Sequence, residues 1–390
     1  MKHLTIRHFG PIEEADIMLR RVNLIIGPQS SGKSTVLKIA CFCDWMERQI
    51  EVTQDPDRYC NAEAFVNNLV NFHKLTGYMK ADSFIGYEND AVSFAFSAKE
   101  NRCDFAWVEA MRWDYRRTKI AYIPSERNLV AAIPNWYQVS MNNDNILDFM
   151  KEWEFARKTF SKGERILDLP AEYKYNANSQ TDRIVLNDGK ELDLTVASSG
   201  LQSLTPLYIM LRYLTSSYYN TTRNSVEQAV IREHLTEVLS KERPDKGAMV
   251  QQCIVDFMLT AYCTDLFIEE PEAHIFPSTQ KSFVYQLVGM LNDERRHTCF
   301  IATHSPYILT SFNNVILAGE TAGESEYKAA KVTKLIPENQ TLRYNEVAAF
   351  EIKNRHVRSI MDDEFRLISA EAIDSASQEI SNDFDYLLKL

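Results

Sequence analysis

The chain opens with alternating apolar and polar positions. HLTIRHF (His3–Phe9) and PIEEADIML (Pro11–Leu19) read as two strands about a Gly10-Pro11 turn, and VNLIIG (Val22–Gly27) as a short, largely apolar third. After Gly27 the period lengthens, predicting a helix from Lys33 to about Glu47. Between about Tyr78 and Val108, segments such as VSFAF and CDFAWV alternate again and predict a small antiparallel sheet. KIAYIP is a further apolar strand, stopped by Pro124.

The stretch 135–180 is mixed and polar, with helical character near Ile146 to Phe160. DRIVLNDGKELDLT predicts a hairpin, because Asn-Asp-Gly tolerates the positive φ of a tight turn. LQSLTPLYIMLRYL is helical by its apolar spacing, and 218–262 is mainly helical. Two apolar strands follow, DLFIE and TCFIATH, separated by the helical TQKSFVYQLVGMLND. Strand, helix, strand at this spacing predicts a βαβ unit with a parallel sheet. The last ~45 residues read as acidic and helix-prone, ending in DFDYLLKL.

Composition narrows the class. A chain of 390 residues, 45% hydrophobic and 25% charged, is that of a globular protein. No apolar stretch approaches the ~18–20 residues of a membrane span, and MKHLTIRHFG lacks the apolar core of a secretion signal. The expectation is a cytoplasmic protein. A net charge of −11 disfavours nonspecific coating of nucleic acid. Two basic stretches, RWDYRRTK (Arg112–Lys119) and DERRH (Asp293–His297), read as solvated faces. The seven cysteines include no C-x-x-C pair and read as buried free thiols.

GPQSSGKST, formed by Gly27, Pro28, Gln29, Ser30, Ser31, Gly32, Lys33, Ser34 and Thr35, matches G-x-x-x-x-G-K-[ST] between an apolar strand and a helix. Gly27 and Gly32 let the backbone turn its N–H groups onto phosphate oxygens, and the following helix adds its positive end. Lys33 should reach the β- and γ-phosphates, and the Ser34 hydroxyl should ligate Mg²⁺. The chain is expected to bind ATP.

LFIEEPEAHIFP (Leu266–Pro277) ends an apolar strand in adjacent carboxylates. Alone, such a pair is most often a solvated edge. Beside a phosphate loop, Glu269 is expected in the magnesium shell and Glu270 against the attacking water. Asp is usual at the metal side, so the extra methylene of Glu269 requires a different approach to the ion. His304, after the strand of FIATHS, falls where an imidazole can reach the γ-phosphate or the water.

The order GPQSSGKST, SSGLQS, LFIEEPEAHIFP, IATHSP resembles ABC-type ATPase heads, especially the RecF, Rad-fifty, SMC and OLD-like group. The resemblance covers about Met1–Glu47 and Lys119–Phe312 with gaps. It implies an α/β P-loop NTPase fold of ABC-ATPase type, a mixed central sheet with an antiparallel β subdomain and helical insertions. It also gives SSGLQS a meaning: Ser199 and Gly200, with Gln202, stand at the signature positions that cap the nucleotide of a second subunit. Leu201 replaces the usual second glycine. YIPSER (Tyr122–Arg127) falls at a γ-phosphate-sensing loop that conventionally carries Gln, leaving Ser125, Glu126 or Arg127 as substitutes.

On this resemblance 1–390 is one ATPase head, with an insertion and small antiparallel sheet at 45–119 and a signature-bearing, largely helical lobe at 135–262. The second half of the nucleotide-binding core lies at 263–343, and an acidic helical tail at 344–390. The long coiled coils of SMC relatives and the TOPRIM domain of OLD nucleases are not recognisable. Arm-less heads of this type are similar to the ATPase components of anti-phage systems such as PARIS and Septu. The implied activity is slow, regulatory ATP hydrolysis. The implied partners are a second copy of the chain, in a dimer or larger homo-oligomer, and a separate effector such as a TOPRIM-like or HNH nuclease. The alternative is a RecF-like ATPase that binds DNA itself.

Overall fold

The computed structural model describes residues 2–108, 111–113, 116–133, 135–136, 141–220 and 226–369, together with Leu387. Strands β1 (Lys2–Phe9) and β2 (Ile12–Leu19) form the expected hairpin. β3 (Val22–Ile26) leads through the glycine loop into helix α1 (Lys33–Thr53). The helix continues past Glu47, because Met46 and Ile50 extend its buried stripe, and Gln54 closes it in a left-handed conformation.

β4 (Met79–Glu88), β5 (Val92–Ser97) and β6 (Arg102–Trp107) form the antiparallel meander expected in 45–119, but not as a separate sheet. β4 pairs with β1, so the meander extends the main sheet. The reason lies in the faces: Leu4 and Ile6 of β1 and Ile85 and Tyr87 of β4 share one hydrophobic core with α1. Cys60 and Cys103 are disulfide-bonded across this insertion, which corrects the reading of all cysteines as free thiols. Their 43-residue separation gave no spacing signal.

After β7 (Thr118–Ile123) and α2 (Asn145–Lys158) comes a four-stranded sheet. It comprises β8 (Glu164–Arg165), β9 (Ala171–Asn176), β10 (Thr181–Leu186) and β11 (Glu191–Asp193). The expected hairpin is β10–β11, yet its partners make the 135–262 lobe more mixed than a largely helical one. Helices α3 (Ser199–Thr215), α4 (Val226–Glu242) and α5 (Ala248–Leu259) complete the lobe.

β12 (Cys263–Glu269), α6 (Pro277–Leu291) and β13 (Thr298–Thr303) are the expected βαβ unit, with the two strands paired in parallel. α7 (Pro306–Ala322) and α8 (Glu326–Val332) follow. The helical tail expected over 344–390 is corrected by β14 (Val347–Lys353) and β15 (His356–Ser359). The run Val347-Ala348-Ala349-Phe350 is buried throughout, and β14 lies in the sheet parallel to β3. Asp362, Asp363 and Glu364 follow β15 in the described part, and the rest of the expected tail, 370–390 apart from Leu387, lies outside the described residues.

The eleven-stranded sheet has the order β6-β5-β4-β1-β2-β15-β14-β3-β13-β12-β7. From β14 to β7 all pairs are parallel, so β3, β12, β13 and β7 end at one edge. Alternation divides the core in two. Leu266, Ile268 and Ile301 face a cluster built on α2, α3, α6 and α7, while Phe267, Phe300 and Ala302 face α1. Arg112 and Arg117 of RWDYRRTK are not on a solvated face: the Arg112 guanidinium lies over the rings of Trp107 and Trp113, and Arg117 is buried and donates to the Leu259 carbonyl. Among the described residues no helix is long and apolar enough to cross a membrane. The chain has an α/β fold with a mixed central sheet, an antiparallel extension of that sheet and helical insertions, and β3, the glycine loop and α1 form the strand–loop–helix expected of a P-loop.

Candidate nucleotide-binding site

The glycine loop crosses the edge where the parallel strands end. Gly32 has φ +110°, and a Cβ there would meet Ile12 Cδ1 at 2.6 Å and Pro11 Cγ at 2.8 Å, so only glycine fits. The Lys33 ammonium is folded back on its own loop, donating to the carbonyls of Gly27 and Pro28 at 2.8 Å each. Burial pulls its pKa down to about 8, against the opposing pull of Glu270 and Glu272.

β12 and β13 deliver the acidic and imidazole groups to the same edge. Glu269 is buried; its Oε2 accepts from the Ser125 N–H at 3.1 Å and the Ser125 hydroxyl at 3.3 Å. Its Oε1 is buried without a well-aligned hydrogen bond, the equally buried Tyr122 hydroxyl being the group close to this carboxylate, and the Ser31 Oγ in the loop is also buried without a partner. A buried carboxylate oxygen without a well-aligned bond is costly, and a cation would satisfy it. Among the described residues no cluster of three or more His, Cys, Asp or Glu could hold a metal alone. Glu269 and the Ser34 hydroxyl are the residues that would hold a Mg²⁺ ion here.

Glu270 follows the strand with φ +42°, and it lines the cleft over the glycine loop, which Glu269 does not. Its Oε1 lies 3.4 Å from His304 Nε2. The His304 N–H donates to Glu272 Oε1 at 2.5 Å, fixing the turn that carries the ring. A cleft of about 470 Å³ brings Gln29, Ser30, Gly32, Lys33, Ser34 and Thr35 together with Glu270 and His304.

The opposite wall was not foreseen from the sequence. It consists of Gly10 and Pro11 from the first hairpin and Gly77, Tyr78 and Lys80 from the start of β4. Gly10 donates to the Tyr78 carbonyl at 2.8 Å, and a Cβ on it would strike the Tyr78 ring at 2.4 Å. The Gly10-Pro11 turn was the one available signal. Arg127 was foreseen only as one of three substitutes for a sensing residue; it is wholly buried beneath the glutamates.

The signature residues do not line this cleft. Ser198, not Ser199, caps α3, accepting from the Leu201 N–H at 3.4 Å. Gly200 lies against the segment after β12: a Cβ there would sit 3.2 Å from the His274 carbonyl. The Gln202 amide donates to the Thr195 carbonyl at 2.7 Å and the Leu194 carbonyl at 3.4 Å, bracing the turn before the helix.

No family model matches the chain, and no curated protein matches it. Among solved structures, an SMC head domain from Thermotoga maritima is similar at TM-score 0.39 and 10% identity, over 92% of this chain and 97% of that one. An Smc head domain with an extended coiled coil, bound to the C-terminal domain of ScpA and derived from Pyrococcus furiosus, is similar at TM-score 0.39 and 9% identity, over 98% and 100%. The recombination mediator RecF with a nucleotide analogue is similar at TM-score 0.32 and 8% identity, over 92% and 97%. Likenesses at this level carry no argument about what this chain does.

Proposed function

We propose that the chain binds ATP with Mg²⁺ in the cleft over the glycine loop and hydrolyses it slowly as a molecular switch. The observation that carries this reading is the convergence of Lys33, Ser34 and the Glu270–His304 pair in one cleft, with Glu269 ending β12 at the same sheet edge. Mg²⁺, when bound, supplies charge to the phosphate oxygens. Lys33 leaves its loop carbonyls for the phosphates, Ser34 and Glu269 hold the ion, and Glu270 polarises the attacking water, with His304 orienting it or donating to the γ-phosphate.

Ser199 and Gly200 cap the nucleotide of a second copy, and the site is composite. Their absence from the chain's own cleft agrees with this. Phe276 and Tyr307, at the starts of the helices after β12 and β13, are 75% and 54% exposed and offer apolar area on the same side of the sheet. The switched state controls a separate effector, a TOPRIM-like or HNH nuclease or a toxin, in bacterial anti-phage defence. α5 supports such docking: Val255, Met258 and Leu259 pack inward, while Met249, Val250 and Phe257 are exposed.

The test is ATP binding and turnover by the purified chain, each with and without Mg²⁺. Binding that is lost with Lys33→Ala and turnover that is lost with Glu270→Gln support the site. Turnover unaffected by both changes refutes it.

A further inference from the structure

Arg127 lies within the Ser125–Asn128 turn after β7 and has no exposed surface. Among the described residues it forms no ion pair. Its guanidinium donates instead to main-chain carbonyls: Glu269 at 2.8 Å, Glu270 at 2.8 Å, Pro124 at 3.3 Å and Ser203 at 3.3 Å. The Ser203 hydroxyl lies 3.5 Å away. Burial pulls its pKa down to about 10, yet the group stays charged at neutral pH. Glu272, Glu270, Glu269 and Glu126 offset part of the cost of burying this cation, and its direct hydrogen bonds tie it to the main chain that carries two of them.

Two of those contacts are consecutive carbonyls. In an extended strand, successive carbonyls point to opposite sides, and one guanidinium cannot reach both. They converge here because Glu270 has left-handed φ, a conformation that a non-glycine residue holds only under constraint. The same conformation aims the Glu270 carboxylate into the cleft. The other contacts reach Ser203, on the helix that begins at Ser199. Arg127 thus joins the turn that holds Glu269 through Ser125, the turn that aims Glu270, and the helix that carries the signature.

We propose that Arg127 is a positioning residue that holds Glu270 in its left-handed turn and ties that turn to the signature helix at Ser203. Docking of a second copy's nucleotide on Ser199 and Gly200 shifts α3, and Arg127 carries the shift to the carboxylate that polarises water. Hydrolysis in one site then reports occupancy of the neighbouring interface. The inference rests on the proposed role of Glu270.

The test compares Arg127→Lys, Glu270→Gln and the double variant in ATP turnover, with thermal melting to verify folding. Lysine keeps the charge but cannot reach both carbonyls and the helix at once. Arg127→Lys is expected to lower kcat at least ~tenfold with KM for ATP within ~threefold, the pattern of a transition-state effect. In the Glu270→Gln background, single-turnover rates should change by less than ~twofold on adding Arg127→Lys, since the two act as one unit. A further ~tenfold fall there, or wild-type kcat in Arg127→Lys alone, overturns the inference. Wild-type turnover by Glu270→Gln instead overturns the proposed role of Glu270. Should Arg127→Lys fail to fold, amide hydrogen exchange on the wild-type chain decides. Adding a non-hydrolysable ATP analogue should slow exchange in 199–204 and 269–272 together; protection of 199–204 alone overturns the coupling.

Discussion

The imidazole of His304 and the carboxylate of Glu270 face each other at 3.4 Å, from the ends of adjacent parallel strands. Neither strand alone brings an acid and a base together; the register that pairs Glu269 with Ala302 does. Glu270 also donates its N–H to the Ala302 carbonyl at 2.8 Å, so the left-handed turn begins from a fixed point. At 3.4 Å the two groups are close to direct hydrogen-bond range, so a water that serves both must sit beside the pair and not between them.

Glu270→Gln should therefore separate binding from turnover. The amide keeps the shape of the side chain and removes the charge that polarises water. We expect kcat to fall by ~10²–10³ while ATP still binds and persists on the protein. Nucleotide retention after gel filtration, with hydrolysis followed in parallel, measures both. Full activity would transfer the water-positioning role to Glu272 or His304.

Lys33→Ala should remove ATP binding and leave the protein folded, read by labelled-ATP binding and thermal melting. The pH dependence is sharper. With its pKa pulled down to about 8, Lys33 loses its proton in the free chain at mildly alkaline pH. If phosphate binding needs the ammonium form, ATP affinity should weaken by ~tenfold between pH 7 and 9. The stability effect has the opposite sense. Between about 8 and the ordinary 10.5 the unfolded chain binds the extra proton, so Lys33 contributes rising stability as pH increases there. Titrating ATP across this range, together with melting, tests both signs.

Glu51 gives a separate prediction, remote from the chemistry. It has no exposed surface, and neither carboxylate oxygen has a hydrogen-bond partner. Burial, reinforced by nearby Glu47, pushes its pKa up to about 9. The folded chain keeps this proton from the ordinary 4.5 up to about 9, whereas the unfolded chain releases it, so stability from this group falls as pH rises through that window. Glu51→Gln should melt higher than wild type at pH 8, with the gain shrinking toward pH 4.5. A gain independent of pH would show that Glu51 is charged in the folded chain.

Much of the site was legible because its parts are local. The glycine loop is one contiguous word between a strand and a helix, and Glu269, Glu270 and His304 each follow an apolar run. What escaped was long-range. Tyr78 and Lys80 reach the cleft only because β4 pairs with β1, and no local pattern encodes that pairing. Arg127 lies in a word whose meaning depends on carbonyls some 140 residues away. β14 was obscured for a different reason: a short buried run beside an acidic, helix-prone stretch was read with its neighbours' composition.

A composite site makes a complementation prediction. If Lys33 serves one face of the nucleotide and Ser199 of another copy serves the other, two defective chains can rebuild one working interface. Lys33→Ala and Ser199→Arg chains, each inactive alone, should regain part of the hydrolysis when mixed. The regained rate should rise with total protein concentration. A strictly monomeric protein with constant specific activity across a dilution series would sink this idea.

Control of a partner is the furthest-reaching prediction. The insertion at 45–119 and the helices at 226–259 lie outside the cleft apart from Gly77, Tyr78 and Lys80, and α5 exposes Met249 at 83%. Apolar area of this kind on a helix invites a protein partner. A nucleotide can regulate such a partner only by binding the attached and detached states unequally. Expressing the chain with its genomic neighbours and purifying it as Glu270→Gln under saturating ATP should recover a second protein. Its stoichiometry should change when ADP replaces ATP. Charge substitutions at Met249 and Phe257 should release that protein while leaving ATP turnover intact. Recovery of a homo-oligomer alone in every nucleotide state, with tight and salt-sensitive DNA binding, would favour the RecF-like alternative instead.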